Sequence, residues 1–306
     1  MDTKESDTPY HEGERVVQER AGVRVAAKQV ASMIQPGLSE NMRAFLTEQP
    51  FVVTATVDRD DRVWGSLLTG NPGFASSPAA DRVQIDTSPQ SGTPLADHGR
   101  AGMSVGLLFI DPRNRSRLRV NGTATTFEDD GFELITEEVY PNCQKYIQRR
   151  SLNRVSDVPN DMEVRRHNGL DETHRQWIRS ADTFFIATAH PERGGDASHR
   201  GGEPGFVDVR GDTLVVPDYP GNNMFCTLGN IEVTGRAGLL FVDFADGDVL
   251  QLSGDANLIW DTTRVNDFEK AERLVKFDVA TAVEISNGNP LRWTLEEQSP
   301  FNPCQP

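Results

Sequence analysis

Apolar and polar residues alternate over several short stretches of this 306-residue chain. In the longest stretch, 275–285, every second position is apolar or Thr, and Lys276, Asp278 and Glu284 fall between them. A strand with one face in a core and the other in water has this period of two. The other predicted strands are the alternating segments 117–121, 212–217 and 249–252 and the β-branched runs 51–57 and 184–189.

Helices are predicted at only three places. Ser39 is a favourable N-cap for a helix over 39–48, and a second helix is predicted over 171–180. A third lies within 16–34 and ends at Pro36-Gly37. With many short strands and few helices between them, the pattern is typical of a barrel or sandwich and argues against a Rossmann-type fold.

The chain repeats itself at a constant shift of 132 residues. The tripeptide at 72–74 recurs at 204–206, and the hexapeptide at 106–111 recurs, with one conservative change, at 238–243. A constant shift over widely spaced blocks indicates two copies of one domain in a single polypeptide. We therefore expect an N-terminal arm over 1–38, a first copy over 39–150, a linker and helix over 151–180, and a second copy with a C-terminal strand and tail over 181–306.

The composition restricts the possible partners. The net charge of −15 argues against nucleic acid and against anionic membranes, since both require a basic surface. The acidic N-terminus has no apolar signal core and no transmembrane run follows, so a cytoplasmic location is expected.

No metal site is predicted. Cys143, Cys226 and Cys304 lie far apart and form no CxxC pair, so neither a disulfide framework nor a structural zinc site is expected. The segment 11–14, His-Glu-Gly-Glu, offers potential metal ligands, but a surface turn is the interpretation we favour.

Four segments carry a resemblance to a known family. They are 197–206, with Ser-His-Arg-Gly-Gly; 217–230, with Pro-Asp-Tyr-Pro-Gly-Asn-Asn; the Gly-Leu-Leu-Phe strand at 238–241; and 140–147 after the first copy. Together they resemble the FMN-binding split-barrel superfamily related to pyridoxamine 5′-phosphate oxidase, over most of residues 45–290.

The resemblance implies a mainly β fold with a few helices. Two six-stranded antiparallel split barrels would pack as an intramolecular pseudo-dimer, with FMN in the groove between them and held by both. The chain would then act as a monomer or pair again as a homodimer. The extended substrate motif of the vitamin B6 oxidase itself is not found, so oxidation of pyridoxamine phosphate is not expected.

The two copies differ at polar positions. At the shift of 132, Leu68 of the first copy corresponds to Arg200 and Leu95 to Thr227. A phosphate dianion needs an Arg fork, hydroxyls and closely approaching backbone N–H groups. We therefore expect one complete flavin site per chain, with a degenerate reciprocal groove. The predicted cofactor-binding residues are Ser198, His199, Arg200, Gly201, Asn222, Asn223, Thr227 and Asn230 of the second copy, with Asn142 and Lys145 of the first.

The predicted function is that of an FMN-dependent oxidoreductase acting on a small molecule, with NAD(P)H as a candidate reductant. No catalytic residue is assigned, and Arg292 and Trp293 are candidate substrate contacts. Alternatives are a flavin carrier or sensor without turnover, or a split barrel that binds F420 or haem, with His199 as a possible axial ligand.

Overall fold

The computed structural model describes residues 8–154 and 162–303. The first copy is an antiparallel sheet in the order β2-β1-β5-β6-β7-β4-β3. Its strands are β1 (Phe51–Val57), β2 (Val63–Thr69), β3 (Ala75–Ser76), β4 (Arg82–Ile85), β5 (Ser104–Asp111), β6 (Ser116–Glu128) and β7 (Gly131–Asn142).

The second copy repeats this order as β11-β10-β14-β15-β16-β13-β12. Its strands are β10 (Thr183–His190), β11 (Gly194–Gly201), β12 (Asp208–Arg210), β13 (Thr213–Asp218), β14 (Arg236–Val242), β15 (Val249–Ile259) and β16 (Arg273–Ser286). The two tandem copies confirm the predicted mainly β, split-barrel fold. Each hydrogen-bonded path is open and has seven strands rather than the six expected, because the short edge strands β3 and β12 extend it.

The copies pack against each other through equivalent surfaces. A Cβ added to Gly106 on β5 would lie 2.6 Å from the carbonyl oxygen of Gly195. Its counterpart Gly238 on β14 stands in the same relation to Val63, at 2.5 Å. Only glycine allows the two backbones to approach this closely. The recurring hexapeptide therefore forms the seam of an intramolecular pseudo-dimer.

The segment predicted as a polar linker carries two strands. β8 (Arg149–Arg154) pairs with β17 (Leu291–Glu297), and β9 (Glu163–His167) adds an eighth strand beside β16. β9 is an edge strand with much exposed surface, and the sequence of β8 is polar except for Leu152, so both segments read as a linker. Residues 155–161 of this segment lie outside the described residues.

The helices largely follow the predictions. Ser39 caps α3 (Glu40–Thr47) and Asp171 caps α5 (Glu172–Ser180). The predicted arm helix begins earlier, as α1 (Glu12–Arg20), and is broken at Gly22, which has φ +71°, before α2 (Arg24–Val30) and a short 3₁₀ turn. The remaining helices are α4 (Pro94–His98), α6 (Cys226–Thr234) and α7 (Thr262–Val265).

The segment 11–14 is not a surface turn. His11 is the N-cap of α1 and Glu14 is buried. The helix lies on α6, where a Cβ on Gly13 would collide with the backbone of Gly229. The prediction was wrong because the first turn of a capped helix and a surface turn are both rich in polar residues, and the sequence alone does not distinguish them. No helix in the described ranges is long and apolar enough to cross a membrane.

Candidate functional site

A cavity of about 90 Å³ opens between the two copies. The first copy contributes the start of β6, the end of β7 and the residues that follow it. The second contributes β11, the end of β13 and the turn that leads into α6. The polar and ionisable side chains around it include Arg117, Arg119, Asn142, Cys143, Tyr146, Ser198, His199, Arg200, Asp218, Asn222, Asn223 and Thr227.

Three arginines converge in this groove. Arg117 and Arg119 are two residues apart on β6, so both side chains leave the same face and cross to the second copy. Arg119 Nη2 donates to Ser198 Oγ at 2.6 Å, and Arg200 Nη1 donates to the same oxygen at 2.9 Å. The seam between the copies therefore carries a concentrated positive charge.

Arg119 is neutralised from within the protein. It contacts both carboxylate oxygens of the buried Asp196, at 3.1 and 3.0 Å. Tyr140 and Thr227 donate to the same carboxylate at 2.9 and 3.3 Å. Burial opposes the charge of Arg119, but Asp196 outweighs it and raises the pKa of the guanidinium above its ordinary value. The Arg119–Asp196 ion pair is therefore a buried structural contact at the base of the groove.

Arg117 has no such partner. Its Nε donates to the Cys143 carbonyl at 2.9 Å and its Nη1 lies 3.3 Å from His199 Nδ1. Within residues 8–154 and 162–303, no carboxylate forms an ion pair with it. Burial, together with the charges of Arg119 and Arg200, lowers the pKa of Arg117 to about 10. At neutral pH it is still a cation, and its charge is uncompensated.

His199 is held neutral in the wall of the groove. Burial, and then the charges of Arg117 and Arg200, lower the pKa of His199 well below its ordinary value. Its Nδ1 faces Arg117, which is always a donor, so the remaining ring proton lies on Nε2. The ring packs edge-on against Phe185 with centroids 5.8 Å apart.

Arg200 shares a carboxylate with a second arginine. Its Nη2 lies 3.7 Å from Asp218, and Arg273 Nε lies 3.4 Å from the other oxygen of that carboxylate. Burial raises the pKa of Asp218 although both arginines oppose it. At 3.7 Å the Arg200 contact is too long for a strong hydrogen bond, so this guanidinium retains donor capacity toward the groove.

Unused donors and acceptors also face the groove. Both polar atoms of the Asn142 side chain are buried and have no hydrogen-bond partner among the residues that the structure describes. Opposite, Asn223 and Phe225 adopt left-handed backbone, with φ +64° at each, and turn the chain into α6. The first N–H groups of a helix have no intrahelical partner and carry partial positive charge. A buried orphan amide and a helix N-terminus are features that a polar ligand would satisfy.

The structure brings eight of the predicted cofactor-binding residues to the groove. Gly201 is required there because a Cβ would collide with the carbonyl of Tyr146. The eight are Asn142, Ser198, His199, Arg200, Gly201, Asn222, Asn223 and Thr227.

Four predicted residues lie elsewhere. Lys145 reaches outward to the Pro220 carbonyl at 3.5 Å, and the neighbouring Tyr146 lines the groove instead. Asn230, on α6, donates a hydrogen bond from Nδ2 to Thr188 Oγ1 and does not line the groove. The two predicted substrate contacts, Arg292 and Trp293, also lie outside the groove. Arg292 donates to the carbonyls of Asn289 and Leu291, and Trp293 packs edge-on against Phe51 in the apolar seam. Both residues lie on β17, which pairs with β8, and this strand takes Trp293 into the core and leaves Arg292 half-buried outside the groove.

Sequence reasoning missed Arg117, Arg119 and Asp196. The signal was available in the repeat, because at the same shift these positions correspond to Val249, Gln251 and Trp64. The strand alternation at 117–121 was interpreted only as a fold feature. Each of the three residues is charged in one copy and uncharged in the other.

The reciprocal groove exists but is nearly closed. It has a cavity volume of about 10 Å³ and is lined by Ser66, Leu68, Leu95 and Gln251, among others. Gln251 Nε2 donates to Ser66 Oγ at 2.8 Å, which repeats the Arg119–Ser198 contact without the charge. The pseudo-symmetry therefore provides an internal control, in which one groove is open and cationic and the other is small and neutral.

The model of the pyridoxamine 5′-phosphate oxidase family matches residues 38–154 and 170–295, well over half of the chain. The chain belongs to this family. No curated protein matches its sequence.

Several solved structures are similar to part of it. General stress protein 26 from Bacillus anthracis is 16% identical, with a TM-score of 0.30, over 40% of this chain and 95% of that one. A FAD-binding protein from Mesorhizobium loti is 11% identical, with a TM-score of 0.29, over 41% and 99%. An F420 reductase is 13% identical, with a TM-score of 0.29, over 37% and 98%.

Proposed function

We propose that this chain is an FMN-dependent oxidoreductase that binds one flavin in the cationic groove. The supporting observation is the asymmetry of the two grooves: Arg117, Arg119 and Arg200 meet in one, while Val249, Gln251 and Leu68 occupy the equivalent positions of the other. Two guanidinium groups on one hydroxyl, with a third lining the same groove, are suited to a dianionic phosphate.

The residues present fit the phosphate end of FMN. The uncompensated charge of Arg117 and the remaining hydrogen-bond donors of Arg200 suit a dianion. The start of α6 adds backbone N–H donors. The orphan Asn142 amide offers both a donor and an acceptor, as a flavin ring edge requires. Ser198, Gly201, Asn223 and Thr227 would complete the set that holds the cofactor.

Bound flavin would supply hydride and electron transfer; the protein supplies position and electrostatics. Arg117 stays protonated at neutral pH, so it stabilises negative charge and does not transfer a proton. Neutral His199 keeps its ring proton on Nε2. Tyr146, whose hydroxyl donates to the Pro220 carbonyl at 3.1 Å, closes one side of the mouth against water.

Other cofactors fit less well. The acidic tail of F420 would require a basic extension, whereas the carboxylates of Asp218 and Glu272 line this groove. Haem would require an exposed axial nitrogen, whereas the His199 ring is buried between Arg117 and Phe185.

Cofactor identity is tested by adding FMN, riboflavin, FAD, F420 or haemin to the cofactor-free protein and following flavin fluorescence or visible absorbance. We expect tight binding of FMN and much weaker binding of riboflavin, which lacks the phosphate. Arg200→Leu, which copies the reciprocal groove, should remove most of this preference. Equal affinity for FMN and riboflavin, or preferential uptake of haemin, would contradict the assignment.

Turnover separates an oxidoreductase from a carrier or sensor. The FMN-loaded protein is mixed anaerobically with NADPH or NADH, and the bleaching of flavin absorbance is followed before oxygen is readmitted. Reduction and reoxidation over repeated cycles support the oxidoreductase. Flavin that stays oxidised with both nicotinamides and is not reduced by a panel of small-molecule donors supports the carrier instead.

A further inference from the structure

A second cluster of polar side chains lies far from the groove, on the outer side of the second copy. His167 at the end of β9, His174 on α5 and Glu284 on β16 converge there. Glu284 Oε2 lies 3.5 Å from His167 Nε2 and 3.4 Å from His174 Nε2. Three separate elements thus direct two imidazoles at one carboxylate oxygen.

These distances are long for hydrogen bonds. Well-formed N–H···O bonds have a separation of roughly 2.7–3.2 Å. Two ligands bound at about 2.0–2.2 Å to one tetrahedral cation are separated by about 3.3–3.5 Å. His167 Nε2 is also buried without a hydrogen-bond partner among the described residues. The spacing is that of ligands around a common ion.

The protonation of His174 can leave a lone pair for such an ion. Its Nδ1 accepts the backbone N–H of Asp171 at 3.3 Å and also lies 3.3 Å from the Asp171 carboxylate. The metal-free neutral ring therefore carries its proton on Nε2, toward Glu284. A cation that binds Nε2 would move this proton to Nδ1, where the Asp171 carboxylate can accept it. Carboxylate support behind a metal-binding histidine is a general feature of metal sites.

The other histidine cluster of the described chain lacks this freedom. His11 and His190 lie beside Glu12. However, each Nδ1 accepts a backbone N–H, from Gly13 and from Glu192 respectively. Each neutral ring therefore carries its proton on Nε2, the atom that faces the carboxylates. In the described ranges, no carboxylate forms an ion pair with either of these Nδ1 atoms, whereas Asp171 lies beside Nδ1 of His174, and this distinguishes the two clusters.

We propose that His167, His174 and Glu284 bind a divalent transition-metal cation of the Zn²⁺ class, with Asp171 positioning His174. Two imidazoles and one carboxylate suit Zn²⁺ or Co²⁺ better than Mg²⁺ or Ca²⁺, which prefer all-oxygen sites. The half-buried faces of His167 and Glu284 give an ion access from solvent. A bound ion would cross-link β9 and α5, which connect the two copies, to β16 of the second copy.

The test uses the full chain, first treated with a chelator and then titrated with Co²⁺ alone. We expect about one equivalent of saturable binding with the visible absorbance of a tetrahedral ion, and displacement by Zn²⁺. His167→Gln and Glu284→Gln, both at half-exposed positions, should each weaken Co²⁺ binding at least tenfold. His190→Gln, in the other cluster, is the matched control and should not change it.

Two results would overturn the proposal. One is the absence of saturable Co²⁺ or Zn²⁺ binding to the wild-type chain. The other is binding that persists in His167→Gln and Glu284→Gln but is lost in His190→Gln. Circular dichroism and urea denaturation of each metal-free variant establish that the protein measured is folded. This site does not depend on the flavin, so its failure leaves the proposed function intact.

Discussion

Removal of the Arg117 charge should weaken phosphate binding without unfolding the protein. In the described part of the chain Arg117 has no carboxylate partner, so Arg117→Gln leaves no acid there unpaired and relieves repulsion from Arg119 and Arg200. We expect a change in unfolding free energy below about 1 kcal/mol. A hydrogen bond to a charged group contributes about 1.5–3 kcal/mol, which corresponds to about 10- to 100-fold in affinity.

The assay is a fluorescence-quenching titration of cofactor-free protein with FMN and with riboflavin, at low and high salt. Arg117→Gln should lose affinity for FMN and little for riboflavin, and its FMN binding should depend less on salt. Arg236→Gln, an exposed arginine of the second copy paired with Asp61, is the control and should behave as wild type. Unchanged FMN affinity, or an equal loss for riboflavin, would refute the argument that this charge serves the phosphate.

Three further substitutions test other parts of the account. Arg119→Gln should destabilise the fold by about 3–5 kcal/mol in urea denaturation, because it leaves a buried carboxylate unpaired; an unchanged midpoint would argue against that pair. Gly201→Ala should weaken FMN binding because the Cβ collides with the Tyr146 carbonyl, whereas Gly221→Ala meets only one atom, at 3.9 Å, and should bind normally. Burial raises the pKa of Glu14 to about 8, so the folded state holds an extra proton between about pH 4.5 and 8. Stability should therefore fall across that window as pH rises, on the order of 4 kcal/mol, and Glu14→Gln should flatten the profile.

The fold was largely predictable because its strands show alternation over short stretches of sequence and because the domain is repeated. Period-two alternation identified the long strand over 275–285, and the constant shift identified two copies. The strands β8 and β9 were not predictable from alternation, since their sequences are largely polar and contain no alternating apolar positions to produce the signal.

The groove was predictable only in part. The residues at 198–201, at the end of β11, and those at 222–227, which lead into α6, form two short contiguous segments and were found from the sequence. Arg119 and Asp196 come from strands of different copies, β6 and β11, and only the packing of the copies brings them into contact. Lys145 and Asn230 each lie two residues after a groove residue, Cys143 and Leu228, but their side chains contact Pro220 and Thr188 instead.

The asymmetry of the two grooves is the central claim, and cofactor stoichiometry tests it most directly. Purified protein saturated with FMN is freed of excess ligand, and the flavin released on denaturation is quantified per chain. We predict one equivalent, reduced strongly by Arg200→Leu and unaffected by Gln251→Leu in the reciprocal groove. Two equivalents per chain, or a loss of flavin in Gln251→Leu but not in Arg200→Leu, would contradict the account.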